Sequence, residues 1–130
     1  DYGNLLILIN LIMEIIKKPW GQEEILEINK KYMFKRLTMN KGHRCSLQYH
    51  NLKHETIYII KGKLNIFIGD TKENIKCNTF LPNESVSLKP GVIHRMEAIE
   101  DCVYLEASTP ELDDVIRLND DYDRTLKNEL

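Results

Sequence analysis

The sequence predicts an all-β fold, an antiparallel barrel or sandwich, and three observations carry that prediction. Runs of alternating apolar and polar residues recur at roughly 8–12-residue spacing, separated by turn residues. No long helical period interrupts them. Between Gly42 and Gly62, glycines bracket a polar set at strand-like spacing, Gly42-x5-Gln48-x-His50-x4-Glu55-x6-Gly62.

The elements follow in order. Ile25 to Asn29 and Tyr32 to Met39 read as strands around a turn at Lys30-Lys31. Side chains at i and i+2 share a face, so Gln48 and His50 look into one cavity. Glu55 enters from the next strand. Thr56 to Ile60 and Leu64 to Ile68 flank Lys61-Gly62-Lys63, which reads as a hairpin with glycine at its turn. Leu64, Ile66 and Ile68 alternate with Asn65 and Phe67, giving one half-buried face. Further turns fall at Gly69 to Lys72, Asn83-Glu84 and Lys89-Pro90-Gly91. His94 to Ala98 and Cys102 to Ser108 read as a closing strand pair around Glu100-Asp101.

Composition agrees with one compact domain. A chain of 130 residues can bury one core, and no composition shift marks a second domain. Net charge is −2 with a pI of about 6.1, which argues against a general nucleic-acid or membrane-surface binder. The three cysteines, Cys45, Cys77 and Cys102, form no CxxC. They read as free, small buried residues of a reduced, cytoplasmic protein.

The glycine-bracketed set also has a chemical reading. Gln48, His50 and Glu55, joined by His94 behind the Pro90-Gly91 turn, offer two nitrogen and two oxygen donors. That set suits a divalent ion, Zn first, with Mn, Fe or Co as alternatives. Chance placement of two histidines on a surface is the plain alternative; the joint pattern of both glycines and four ligand types outweighs it.

These residues carry a resemblance. The stretches around Gln48 to Gly62 and around His94 resemble the two cupin motifs, with Gln48 where many cupins have a first histidine. Arg44, Ser46-Leu47-Gln48, His50, Lys53 and Glu55 resemble the cupin domain of type II mannose-6-phosphate isomerases, also found fused behind mannose-1-phosphate guanylyltransferases. Lys18-Pro19-Trp20-Gly21 with Glu23, His94-Arg95, Asp113 to Arg117 and Asp120 to Arg124 extend the likeness over about Lys17 to Arg124. The chain departs from the family pattern at five places. Lys53 replaces an arginine, Thr56-Ile57 a His-Trp pair, Ala98 an asparagine and Asp123 a glycine. Met13 to Trp20 looks like a family start, so the cupin domain is expected over 13–130. Residues 1–12 are then an upstream extension or an appended non-native segment. Leu5 to Ile16 is too short and apolar in the wrong context for a membrane span or secretory signal.

The resemblance implies a double-stranded β-helix, the cupin jelly roll, with Gln48, His50, Glu55 and His94 as metal ligands. It implies isomerisation of mannose-6-phosphate to fructose-6-phosphate, in which a base moves a proton between C1 and C2. A non-catalytic metal- and sugar-binding cupin in nucleotide-sugar metabolism is the alternative. A homodimer covering edge strands is expected. Glu97 and Glu106 are the candidate bases, and strand parity does not decide between them. Arg44, Lys53 and Arg95 are candidate phosphate contacts, Arg44 preferred because it shares the parity of Gln48 and His50. Arg95 can equally bridge the barrel wall to the C-terminal segment through Asp113 or Asp114, and Lys53 can be a solvated loop lysine. Trp20 reads as a core or interface anchor, and His54 points outward.

Overall fold

The computed structural model describes residues 14–125. The expectation for residues 1–12 lies outside them. Eleven strands follow one another, β1 (Glu14–Lys18), β2 (Gly21–Ile28), β3 (Met33–Met39), β4 (Leu47–Tyr49), β5 (Glu55–Lys61), β6 (Leu64–Gly69), β7 (Ile75–Phe80), β8 (Ser85–Leu88), β9 (Ile93–Ala98), β10 (Cys102–Ser108) and β11 (Ile116–Asn119). They form a six-stranded sheet, β1-β2-β3-β10-β5-β8, facing a five-stranded sheet, β11-β4-β9-β6-β7. Every strand pairing is antiparallel. No described helix is long and apolar enough to cross a membrane.

From β4 onward the chain changes sheets at every connection except the β6–β7 hairpin, which makes the double-stranded β-helix. This corrects two predicted pairings. Lys61-Gly62-Lys63 is a corner carrying the chain from one sheet to the other, not a hairpin. Gly62 has φ 90°, and a Cβ there would run into the Asp101 carbonyl, so the corner requires glycine. Likewise β9 and β10 do not pair. β9 lies between β4 and β6, and β10 between β3 and β5. Alternation fixes which side chains point inward but not which strand lies alongside, and two well-buried rows can face each other across the core instead. The Lys30-Lys31 turn does join a β2–β3 hairpin, with the Asn29 side chain accepting from the Lys31 and Tyr32 amides.

The inward rows change character along their length. At one end Leu37, Met39, Ile57, Ile59, Leu64, Ile66, Leu88, Ala98, Cys102 and Tyr104 form the core, with Trp20 packed among them. Each large apolar side chain there stabilises the fold by roughly 1.5–3 kcal/mol through burial. Farther along the same rows come Lys35, Glu55, His94, Glu106 and Ser108, all buried. One barrel therefore holds a dry apolar plug and, above it, a charged floor. Cys45 and Cys102 are free and buried as expected, but Cys77 is exposed on β7, a strand with four exposed residues.

Candidate metal centre

The β4–β9 ladder pairs Gln48 with His94, so both project from one sheet toward the opposite one. His50 follows at the end of β4, and Glu55 opens β5 on the facing sheet. The two sheets thus bring one ligand atom each from His50, Glu55 and His94 within 4.8 Å of one another. Glu55 Oε1 lies 3.1 Å from His94 Nε2 and 3.6 Å from His50 Nε2. Neither Nε2 has a hydrogen-bond partner, although both are buried.

The other ring nitrogens explain that orientation. His94 Nδ1 donates to the Val92 carbonyl at 2.9 Å, and His50 Nδ1 donates to the Asp114 carbonyl. A carbonyl only accepts, so the proton sits on Nδ1 and each neutral ring presents a bare Nε2 lone pair to the cavity. Buried lone pairs without donors, beside a carboxylate oxygen, are costly unless a cation joins them. The donor set fits a divalent ion of the Zn, Mn, Fe or Co kind. The Gln48 side chain lines the same cavity, its Oε1 accepting from the Ser46 hydroxyl.

Asp114 fixes the loop that carries His50. Its carboxylate accepts from the amides of Asn51, Leu52 and Lys53 at 3.1, 2.7 and 2.9 Å. Burial opposes its ionisation, but these donors hold its carboxyl below the ordinary aspartate value. The C-terminal segment therefore folds across the barrel through Asp114, with Asp113, Asp121 and Asp123 left exposed. Neither motif spacing nor parity points to this, because the capping residue lies 64 positions from His50.

A cavity of about 220 Å³ extends from the ligands. Its walls include Lys18, Glu23, Lys35, Lys53, Glu106, Arg117 and Arg124, with Trp20 and Tyr104. Lys53 is buried, its Nζ 3.0 Å from Glu55 Oε2 and 3.1 Å from Glu106 Oε2. Burial works against its charge, but the two carboxylates outweigh it and raise its pKa. Burial also opposes ionisation of Glu55, while the Lys53 ammonium beside it pulls its carboxyl below the usual range. Glu106 is pushed upward, by burial first and then by the Glu55 charge.

The structure sorts the remaining sequence candidates. Glu106 points into the cavity; Glu97 does not, lying on the outer face of β9 where Asn65 reaches it. Arg44 is not inward. It forms a two-bonded pair with Asp121 at 2.7 and 2.9 Å on the surface. An irregular stretch between the isolated Arg44–Glu97 bridge and β4 breaks the parity, so Cys45 rather than Arg44 shares the cavity with Gln48 and His50. Arg95 is turned away from the ligands and donates to the carbonyls of Cys45 and Asn119 and to the Asn119 side chain. It does bridge barrel and C-terminal segment, through Asn119 instead of Asp113 or Asp114. Lys53 is in the cavity but is held by its two carboxylates rather than solvated. His54 is exposed, as expected.

The sequence matches the family described as mannose-6-phosphate isomerase C-terminal over residues 10–120. The chain belongs to this family. A mannose-1-phosphate guanylyltransferase of Salmonella montevideo is 31% identical over 114 residues, 84% of this chain and 23% of that protein. The alginate biosynthesis protein AlgA of Pseudomonas aeruginosa is 30% identical over 114 residues, 85% of this chain and 23% of that protein. This cupin domain therefore spans about a quarter of the length of those relatives. In solved structures its fold resembles KdgF from Halomonas sp., with TM-score 0.68 at 15% identity over 77% of this chain and 90% of that one. It also resembles CapF from Staphylococcus aureus, with TM-score 0.71 at 16% identity over 82% of this chain and 34% of that one. Both likenesses establish the cupin fold alone.

Proposed function

We propose that this cupin domain is a metal-dependent sugar-phosphate isomerase interconverting mannose-6-phosphate and fructose-6-phosphate. One observation carries the reading. One cavity is lined by His50 and Glu55 of the His50–Glu55–His94 cluster, by the inward carboxylate of Glu106, and by the cations Lys18, Arg117 and Arg124. A metal-dependent aldose–ketose isomerase of phosphorylated sugars uses those three parts together.

His50, Glu55 and His94, with Gln48, would hold the ion, which when bound supplies Lewis-acid polarisation of the sugar carbonyl. Glu106 accepts the proton from C2 and returns it to C1. Burial raises its pKa above the ordinary glutamate value, which strengthens it as a base, and Lys53 keeps the carboxylate oriented. Lys18, Arg117 and Arg124, the last already paired with Asp120, line the cavity where the substrate's phosphate would lie, the role for which closeness in sequence to the ligands offered Arg44, Lys53 and Arg95. Trp20 and Tyr104 exclude water beneath the reacting carbons.

A coupled assay of mannose-6-phosphate to fructose-6-phosphate, with Zn, Mn or Co supplied, tests this. Turnover that falls by about 100- to 10,000-fold in E106Q, with metal retained, supports the assignment of the base. Stoichiometric metal and sugar-phosphate binding without turnover in the unaltered chain would favour a binding module of nucleotide-sugar metabolism, the context suggested by the guanylyltransferase relatives.

A further inference from the structure

The inward rows of β2, β3, β10 and β5 carry an unbroken series of alternating charges. Glu23 Oε2 lies 3.1 Å from Lys35 Nζ, and Lys35 Nζ lies 3.8 Å from Glu106 Oε2. Glu106 Oε2 lies 3.1 Å from Lys53 Nζ, and Lys53 Nζ lies 3.0 Å from Glu55 Oε2. Side-chain exposures run 12, 4, 7, 7 and 1% from Glu23 to Glu55, so water screens none of these contacts fully. Lys35 is the direct cross-strand neighbour of Glu106 in the β3–β10 ladder. A lysine on an inward row of a barrel is unusual and needs a reason, since the outward positions on either side, Phe34 and Arg36, leave the strand's other face free for charge.

We propose that Lys35 is a positioning residue for Glu106, clamping its carboxylate from the β3 side as Lys53 clamps it from the β5 side. The inference rests on the isomerase reading for its catalytic consequence but not for its geometry. With two cations flanking it, the Glu106 carboxylate is held in one rotamer facing the cavity. Glu23 anchors Lys35 in turn, so that the ammonium does not swing out to solvent. The charged groups facing Glu106 are Lys35 from β3, Glu23 from β2, Lys53 and Glu55 from the loop and start of β5, with Tyr104 beside it on β10 and His50 opposite. Of these only Lys35 and Lys53 favour the ionised form, and Lys53 divides its charge with Glu55. Removing Lys35 therefore raises the pH at which Glu106 loses its proton.

The test compares E23Q, K35R, K35M and the double variant E23Q/K35M, all metal-loaded. K35M leaves Glu23 unpaired and can unfold; the double variant removes that unpaired charge and keeps the test decisive. The first readout needs no turnover, namely the carboxyl carbon-13 resonance of Glu106, assigned by its loss in E106Q. The expected result is an upward displacement of its titration midpoint in E23Q/K35M relative to E23Q alone, which isolates the Lys35 charge, and an unmoved midpoint in K35R. The second is the kcat–pH profile. Its acid limb moves to higher pH in E23Q/K35M, kcat falls about 10- to 100-fold, and KM changes little. The same Glu106 midpoint in E23Q/K35M as in E23Q would overturn the proposal. If the unaltered chain shows no isomerisation, the isomerase reading fails, and the resonance alone decides on Lys35.

Discussion

The two sheets treat their buried polar groups in opposite ways. The five-stranded sheet contributes neutral donors, Gln48 and His94 with His50 just beyond β4, and each imidazole is aimed by one backbone carbonyl. The six-stranded sheet contributes charges, Glu23, Lys35, Glu55 and Glu106, which are satisfied by one another and by Lys53. A ring held by backbone can be lost at the cost of one local contact. A buried charge cannot be lost without orphaning its neighbour. Metal affinity should thus be sensitive to both sheets, but stability mainly to the charged one.

Glu55→Ala should have the largest effect, because it removes a candidate ligand and leaves Lys53 with one carboxylate. Loss of metal and turnover is expected together with roughly 3–5 kcal/mol of stability, read by urea unfolding of the apo chain. His94→Ala should lose metal as completely yet destabilise the apo chain by only about 1–3 kcal/mol, the cost of a small void and an unmatched Val92 carbonyl. Equal destabilisation by the two would erase the contrast between the sheets.

Asp114→Asn should come next. Weakened acceptance from three amides loosens the His50 loop, and metal affinity should fall about 10- to 100-fold by calorimetric titration. The folded-state pKa of Asp114 is depressed, so its stabilising contribution is present above the unfolded value and lost as pH falls through the folded one. The asparagine variant should lack that acid-side loss in unfolding curves recorded below neutrality. Arg44→Ala should do least. Its pair with Asp121 is partly exposed, so a change under about 1 kcal/mol and unaltered turnover are expected.

The fold and the clustering of the candidate ligands were legible from sequence for a shared reason. Strand parity and glycine-demanding corners are local, and Gln48, His50, Glu55 and Gly62 lie within one such stretch. Asp123 is a similar case, a residue at φ 60° where the resemblance expects glycine. Parity failed where the backbone is irregular, as between Arg44 and Leu47, which turned Arg44 outward. It was also silent on distant partners. Nothing in the spacing shows that Asp114 caps the His50 loop, that Asn119 receives Arg95, or that Lys35 stands beside Glu106. Those contacts arise from sheet changes at corners that read equally well as hairpins.

Metal titration of the apo chain, followed calorimetrically for the unaltered protein and for His50→Ala, reaches the ligand assignment most directly. One divalent ion per chain, with affinity lost in the variant while its far-ultraviolet spectrum stays that of a β protein, is the predicted result. Failure of the unaltered chain to bind any of Zn, Mn, Fe or Co, or undiminished binding by His50→Ala, would contradict it.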